Sequence, residues 1–319
     1  MRKSCNLLQL KLFSEIGPSL GDCPINEGVW PTYVPANNDG SIDIDSLNVL
    51  VTFFIDHGYP IIINFNYGTT FTGAMDDVGG GLELLATALE RADENGLRHW
   101  IHVDGALAAN YMPYVEKGMD EGLINQQPIC GFDFRNANVK SICASPYKWI
   151  GSPWAFGVFV MRNAHGARAA ARPNYVGNRD ATISGSRNGL SSIFLWETLT
   201  RLGSSGLMDM ARGNEDMANY AYNTLSAFAD SDGFAGQHLM LQRRIAFSNM
   251  ILFRMPNATI MNKYTLSSDD YTVDGVVHRL CHLVIVGHIK KEVIDELVAD
   301  LAMPDAFTLI AAPSADAGL

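Results

Sequence analysis

Two segments carry side chains whose types suit covalent cofactor chemistry. His102 to Ala106 has the sequence His-Val-Asp-Gly-Ala, and Ser145 to Gly151 has the sequence Ser-Pro-Tyr-Lys-Trp-Ile-Gly. A lysine amine can hold an aldehyde cofactor as a Schiff base, while a carboxylate beside a pyridine nitrogen keeps that nitrogen protonated. Lys148 and Asp104 are the candidates for these two roles. The pair predicts a site for pyridoxal 5'-phosphate.

A small residue beside this pair supports the same chemistry. Ala106 lies two residues after Asp104, so both side chains point to the same side of an extended strand, where a methyl group lets a flat ring lie close. Gly105, between them, is expected to face away. These residues alone leave a second interpretation open, in which Asp104 caps a helix at the end of a buried strand and Lys148 is a surface lysine.

The surrounding pattern predicts the strands and helices that position the two segments. Asp45 is a predicted N-cap for a helix that ends near Phe54, and a second helix is predicted from about Gly81 to Glu94. Four apolar runs are predicted to be strands: Tyr59 to Phe65, His99 to Val103, Val139 to Ala144 and Trp154 to Met161. The connection between the first two predicted strands is long enough for them to pair in parallel. The turn after Lys148 favours a hairpin between the last two. The pattern therefore predicts α/β architecture with Asp104 and Lys148 near strand ends.

The rest of the chain is predicted to form a smaller unit. Helices are expected from Ser191 to Leu202 and from Leu207 to Ala229, and the longer one is predicted to link two domains. Beyond it the pattern is typical of a small α+β domain: strand Ile245 to Phe253, helix Ala258 to Lys263, strand Leu280 to Val286 and helix Lys290 to Leu301. The predicted organisation is an irregular N-terminal segment (1–30), a large domain (31–206), a linking helix (207–230), a small C-terminal domain (231–303) and a flexible tail (304–319).

Composition and charge narrow the class of protein. The 319 residues carry a net charge of −11, which repels phosphates and argues against a nucleic-acid or anionic-membrane partner. The apolar runs are too short for a membrane helix. Five scattered cysteines without a CxxC pair favour a reducing cytoplasm, and the eight histidines show no metal-ligand spacing, so no metal site is predicted. Asp76 and Asp77 are more typical of a turn or helix cap than of a metal pair. A small-molecule substrate is the expected partner.

Two further segments extend the pattern. Asn66 to Asp77 begins Asn-Tyr-Gly-Thr-Thr-Phe-Thr-Gly, and Ser184 to Gly189 has the sequence Ser-Gly-Ser-Arg-Asn-Gly. Together with the Asp104 and Lys148 segments, they make the chain resemble the pyridoxal-phosphate-dependent amino-acid decarboxylases of group II, which include histidine, glutamate and aromatic amino-acid decarboxylases. The last segment looks most like the histidine decarboxylase branch, and the resemblance extends from about residue 30 to residue 302. It implies the fold type I architecture of pyridoxal-phosphate-dependent transferases, with a large domain on a mainly parallel sheet and a small C-terminal α+β domain.

The resemblance also implies an activity and a set of contacts. It implies decarboxylation of an L-amino acid to its amine and CO2 in a homodimer, with pyridoxal 5'-phosphate as cofactor. Lys148 is then the Schiff-base lysine, Asp104 the partner of the pyridine nitrogen and Ala106 the contact to the ring face. The remaining positions follow the family's motifs: Thr70 near the ring hydroxyl and the substrate carboxylate, Ser145 and Tyr147 near the phosphate, Ser184 and Ser186 where a partner subunit reaches the phosphate, and Arg187 either binding a carboxylate or bracing the loop.

Two departures from the family pattern bear on activity. Tyr147 stands where the family usually has a histidine, and a phenol donates a hydrogen bond without supplying a positive charge. Before the region that matches residue 30, family members also carry a phosphate-binding turn and a ring-stacking aromatic or histidine, and neither is found in this sequence. The chain is therefore expected to be truncated, a fragment or a degenerate relative of the family. Three hypotheses remain: a decarboxylase or its C-terminal part, another fold type I enzyme, or a non-catalytic relative that keeps the dimer scaffold.

Overall fold

Helices and strands alternate through the first half of the chain, and a long helix connects them to a second sheet. The computed structural model describes residues 10–26, 28–165, 186–231, 239–242, 245–273 and 276–308. The helices are α1 Phe13–Ile16, α2 Ile44–Asp56, α3 Val78–Leu84, α4 Ala86–Glu94, α5 Met112–Asp120, α6 Gly189–Ala229, α7 Ala258–Lys263 and α8 Lys291–Leu301. The strands are β1 Ile61–Asn66, β2 His99–Asp104, β3 Val139–Ala144, β4 Val158–Met161, β5 Met250–Arg254, β6 Ser267–Val273 and β7 Val276–Val284, and short 3-10 turns occupy Gly17–Ser19, Pro146–Lys148 and Asn163–His165.

The first sheet has the strand order β1-β2-β3-β4. The pairs β1-β2 and β2-β3 are parallel, while β3 and β4 form the predicted antiparallel hairpin. Helices α3 and α4 provide the crossover from β1 to β2, so the α/β prediction with a mainly parallel sheet is confirmed.

Helix α2 shows how the local sequence sets the bounds of a covering helix. The Asp43 carboxylate accepts hydrogen bonds from the backbone N–H groups of Asp45 and Ser46, at 3.0 and 3.2 Å, so the N-cap lies two residues before the predicted one, Asp45. Its buried side chains lie on one face: Leu47, Leu50, Val51, Phe54 and Ile55.

The two faces of the first sheet differ in cover. Ile63 and Phe65 of β1 and Ile101 and Val103 of β2 are buried in one core with side chains from α2 to α5. Alternate residues point to the other face, where Ile62 is 61% and Phe159 59% exposed. Parallel sheets are normally covered on both faces. Within the described residues, the second face of this sheet is therefore open.

Helix α6 runs through two hydrophobic cores. The two predicted helices are joined in it, with a kink at Gly203 (φ 60°, ψ −173°), a backbone conformation that glycine adopts without a Cβ penalty. Leu207 and Ala211 belong to the core of the first sheet. Ala218 and Leu225 belong to the second core. The helix thus contributes to both cores, while the division into 31–206, the linking helix 207–230 and 231–303 remains a prediction.

The second sheet, with order β5-β7-β6, is antiparallel throughout and packs on α8. Strand β6 was not predicted. The prediction of a flexible tail from residue 304 is wrong for its first residues, because Ala306 and Phe307 are buried in the second core and the Arg254 guanidinium lies 5.1 Å from the Phe307 ring centroid. Residues 309–319 of that tail lie outside the described part of the chain.

The predicted irregular segment 1–30 also contains regular structure. Helix α1 and the turn Gly17–Ser19 follow each other, and Gly17 lies so close to the Trp30 ring that an added Cβ would be 2.4 Å from it. Only glycine allows this approach. The Trp30 ring in turn lies 5.6 and 5.8 Å, centroid to centroid, from the Phe53 and Phe54 rings, so the segment packs against α2. Among the described residues, no helix is both long and apolar enough to cross a membrane.

Candidate active site

Asp104 lies at the centre of the site because of the strand register. It is the last residue of β2, paired with Asn66 at the end of β1 and with Cys143 near the end of β3. All three strands run parallel, so their carboxyl ends meet at one edge of the sheet. In α/β proteins this edge is where ligands bind.

A cavity of about 310 Å³ opens at this edge. It is lined by Asn66, Gly68, Thr69, Thr70, Asp104, Ala106 and Lys148. Four residues predicted from the sequence, Asp104, Lys148, Ala106 and Thr70, therefore line the same cavity. Asn66 and Thr70, although they line the cavity, are also exposed to solvent.

The Asp104 carboxylate is held by its own turn and by the next strand. Its Oδ1 accepts from the Ala106 backbone N–H at 3.1 Å and from the Cys143 thiol at 3.3 Å. Burial, reinforced by the Asp104 charge, raises the pKa of the Cys143 thiol to about 12, so the thiol stays protonated and donates. An added Cβ on Gly105 would lie 2.3 Å from Ala109 Cβ, and glycine therefore permits the close approach of this turn. The arrangement fixes one carboxylate oxygen of a residue that lines the cavity.

Lys148 is the last residue of the short 3-10 turn Pro146–Lys148. A single residue, Ser145, separates this turn from the end of β3. The Ser145 N–H donates to the Ala106 carbonyl at 3.3 Å, and the Lys148 N–H donates to the Ser145 carbonyl at 3.0 Å. The next side chain, Trp149, is buried with its ring centroid 5.8 Å from that of Tyr111. These contacts fasten the turn to the segment that follows Asp104.

Thr70 lies at the tip of a loop with a well-bonded base. The loop begins at Gly68, whose φ of 97° and close contact with Leu107 favour glycine. The Thr69 and Thr72 hydroxyls lie 2.7 Å apart, and both accept from the Ala74 N–H. The base is therefore rigid, and Thr70 extends from it into the cavity.

Asp76 supports the cavity wall from behind. It is 1% exposed, and its two oxygens accept from the backbone N–H groups of Ile42 at 2.8 Å and Asn66 at 2.6 Å. Burial raises the pKa of this carboxyl, while the two backbone hydrogen bonds act in the opposite direction. Asp77 caps α3 by accepting from the Gly80 N–H at 2.9 Å, the capping role that the sequence favoured.

His102 lies two residues before Asp104, on the open face of the sheet. Its Nδ1 is 2.8 Å from the Ser141 hydroxyl, and that hydroxyl accepts a hydrogen bond from Trp100 Nε1 at 2.9 Å. The Phe159 ring is stacked with a centroid distance of 5.9 Å. Burial lowers the pKa of His102, although Asp104 opposes this effect.

The structure does not bring every predicted residue into the cavity wall. Ser145 and Tyr147 are in the turn that carries Lys148 but are not among the lining residues, and Ser186 is exposed before α6. Ser184 lies outside the described residues. Asn66, Thr69 and Cys143 were missed, because their place follows from strand register and loop closure. The signal that could have found Asn66 is its position: it is the last residue of β1, as Asp104 is of β2, and the two are paired in the parallel sheet.

A model of the pyridoxal-dependent decarboxylase conserved domain matches residues 27–234. The chain therefore belongs to the pyridoxal-dependent decarboxylase family, which confirms the predicted resemblance, the fold type and, at the level of the family, the cofactor. Histidine decarboxylase of Solanum lycopersicum is 29% identical over 82% of this chain and 55% of that protein, and serine decarboxylase 2 of Oryza sativa subsp. japonica is 30% identical over 76% and 45%. The chain spans about half the length of these relatives.

A solved structure gives the corresponding result for the fold. L-methionine decarboxylase from Streptomyces sp.590 superposes with a TM-score of 0.84 at 28% identity, covering 94% of this chain and 67% of that one. Glutamate decarboxylase of Lactobacillus brevis, with a TM-score of 0.63 at 19% identity, shares the fold.

The residues present fit a pyridoxal ring. The cavity combines one amine, one fixed carboxylate and the small side chain of Ala106, and its volume is at the lower end of the range of small-molecule sites. Lys148 and Asp104 are the amine and the acid that this cofactor requires. Thr69, Thr70 and Asn66 add polar groups around them.

Proposed function

We propose that this chain takes part in the pyridoxal-phosphate-dependent decarboxylation of an L-amino acid, which releases CO2 and the corresponding amine. The proposal is carried by one observation: the Lys148 amine and the Asp104 carboxylate line the same cavity at the carboxyl end of a parallel sheet. Family membership, and relatives named histidine, serine and methionine decarboxylases, support the same class of reaction.

The roles of the two principal residues follow from their chemistry. Lys148 holds the cofactor through its amine, and Asp104 keeps the pyridine nitrogen protonated because a carboxylate beside it favours the charged form. When bound, the cofactor supplies an electron sink for the bond between the substrate Cα and its carboxylate. Cys143 and the Ala106 N–H keep the Asp104 carboxylate oriented. The Lys148 amine would hold the cofactor at this cavity and, when not bonded to it, could accept a proton there.

The polar residues around this pair are assigned to substrate and phosphate. The Thr70 hydroxyl can donate to the substrate carboxylate or to the ring hydroxyl. Ser145 and Tyr147, in the turn before Lys148, are assigned to the phosphate end of the cofactor. Ser184 and Ser186 are assigned to the cofactor phosphate of a partner subunit.

A homodimer in the cytoplasm is the setting we infer for this reaction. The dimer is supported by a strip of apolar side chains on the first turns of α6, where Leu190, Ile193 and Trp196 are largely exposed directly after Ser186. The cytoplasm is supported by the cysteines at positions 23, 130, 143 and 281, which are free thiols.

Cofactor binding without turnover is the second candidate. It is favoured by the exposure of Asn66 and Thr70, which leaves one side of the cavity in contact with solvent among the described residues. Decarboxylation by this cofactor benefits from exclusion of water around the reacting bond.

One experiment separates the two candidates. The purified protein is incubated with pyridoxal phosphate and reduced with borohydride, and its mass is measured by mass spectrometry. Lys148→Ala and a matched control in β3, Lys140→Ala, are treated in parallel. We expect one adduct that is absent only from Lys148→Ala, and release of CO2 from a panel that includes histidine, serine, methionine and glutamate. An adduct without CO2 from any amino acid supports the second candidate. The absence of an adduct refutes both.

A further inference from the structure

The second sheet touches the loop that carries Thr70. His282 lies on β7, the middle strand of that sheet, and its Nδ1 is 2.9 Å from the carbonyl oxygen of Phe71. The His282 and Phe71 rings are packed with a centroid distance of 5.1 Å. Because a carbonyl oxygen can only accept, Nδ1 is the donor of this hydrogen bond. The contact joins residues far apart in the chain at the position next to Thr70.

The tip and the base of this loop are held by different parts of the molecule. The base is closed by its own groups, since Thr69 and Gly68 donate their N–H groups to the Ala74 carbonyl and the Gly73 N–H donates to the Thr69 carbonyl. The tip instead bonds to His282. A hydroxyl at position 70 is therefore oriented from one side by the loop and from the other by the second sheet.

His282 is itself held rigidly. Its backbone is paired with Leu252 of β5 on one side and with Ser267 of β6 on the other, so it cannot shift without disturbing both neighbours. The loop also packs closely on the start of β5, where an added Cβ on Gly73 would lie 2.8 Å from Met250 Cγ. A donor held in this way can fix the position of the loop tip.

Apolar packing surrounds this hydrogen bond. Phe71 packs against a cluster that includes Leu107, Met250 and Leu280, and its ring centroid is 6.4 Å from that of Tyr271. The Tyr271 hydroxyl donates to the Asn38 carbonyl, which ties β6 to the first unit as well. The contact is half-buried, so water has restricted access to the Phe71 carbonyl.

We propose that His282 is a positioning residue for the cavity: by donating from Nδ1 to the Phe71 carbonyl, it fixes the loop tip so that Thr70 faces the substrate. The second sheet thereby contributes to the geometry of a site to whose lining its described residues do not belong. The kinetic consequence rests on the proposed decarboxylase function. The ordering of the loop does not.

Three variants of His282 test this role. His282→Asn keeps an amide N–H close to the place of Nδ1, whereas His282→Gln moves the amide towards the place of Nε2 and His282→Leu removes the donor. His278→Leu is the matched control, because His278 lies on the same face of β7, four residues away. Hydrogen exchange of residues 68–73 is measured in the cofactor-free protein, together with the thermal unfolding midpoint.

We expect backbone amide exchange in this loop to be about three- to tenfold faster in the Leu and Gln variants, the effect of losing one hydrogen bond. The Asn variant and the His278 control are expected to match the wild type. Should the Leu variant fail to fold, the exchange rates of the Asn and Gln variants decide whether the Nδ1 hydrogen bond orders the loop. Equal exchange in the Asn and Gln variants overturns the proposal.

A kinetic measurement completes the test in the holoenzyme. Misplacement of Thr70 is expected to lower kcat several-fold in the Gln variant, with KM and the cofactor Kd changed less, and the Asn variant is expected to restore kcat. An equal loss of kcat in the Asn and Gln variants contradicts a positioning role. If no amino acid is decarboxylated by the wild type, the proposed function fails, while the exchange measurement still decides whether His282 orders the loop.

Discussion

Replacing Asp76 by asparagine tests whether the cavity wall depends on the carboxylate behind it. Both Asp76 oxygens accept from backbone N–H groups, one from Ile42 and one from Asn66. Asparagine has one acceptor oxygen and one NH2 group, so one of these N–H groups would face another donor in a site with 1% exposure. We expect the substitution to weaken both the fold and the wall that Asn66 forms.

The size of the effect follows from these two contacts. A hydrogen bond to a charged group contributes about 1.5–3 kcal/mol, and an unsatisfied buried donor costs about 1–3 kcal/mol. Removal of a carboxylate whose pKa is raised by burial offsets part of this loss. The net change in the free energy of unfolding is therefore about 3 kcal/mol, which lowers the unfolding temperature by about 6–12 °C.

The neighbouring residue provides a matched control. Asp77→Asn makes the same chemical change at an exposed N-cap, where asparagine and aspartate stabilise a helix about equally. Unfolding is followed by circular dichroism in urea, and the cofactor Kd is measured by titration. We expect Asp76→Asn alone to be destabilised and to bind the cofactor more weakly. Equal stability of the two variants would refute the reasoning.

Three further outcomes follow from contacts around the site. Cys143→Ala removes the thiol that donates to Asp104, so the cofactor Kd is expected to rise about two- to fivefold. Cys143→Ser keeps a donor, and its Kd is expected to stay near that of the wild type. Equal Kd values for the two variants contradict this role of Cys143. Gly105→Ala places a Cβ 2.3 Å from Ala109 Cβ and is expected to lower the free energy of unfolding by about 1–3 kcal/mol, and an unchanged urea midpoint counts against this crowding. Burial lowers the pKa of His102, so the folded protein binds fewer protons there than the unfolded chain, and stability present above pH 6.5 is lost as the pH falls through the folded pKa. Unfolding curves at pH 7.5 and pH 5.5 should show a larger loss for the wild type than for His102→Gln, and equal losses would exclude His102 as the cause.

The strands of the first sheet and four residues of the cavity could be predicted because local sequence identifies both. Strand β3 was predicted with the observed bounds, Val139–Ala144, because its apolar run ends in clear turn residues. Asp104, Lys148, Ala106 and Thr70 were found because each belongs to a short local motif. The information that identifies them lies within a few residues of each position.

The features that were missed depend on partners far away in the chain. Strand β6 begins Ser-Ser-Asp-Asp, a polar stretch that becomes a strand only because it pairs with β7. Helix α5, which begins Met-Pro, was also not predicted. Cys143 became visible as the partner of Asp104 only once the register between β2 and β3 was known. Phe307, in a segment dominated by small and polar residues, is buried by tertiary packing alone.

The passage of α6 through both cores has a consequence for cooperativity. Leu207 and Ala211 lie in one core and Ala218 and Leu225 in the other, so melting of either core removes the partners of a helix on which the other core also packs. The two units are therefore expected to unfold in one transition. A ligand that binds only at Asp104 and Lys148 then raises the unfolding temperature of the second sheet as well, although it touches no residue there.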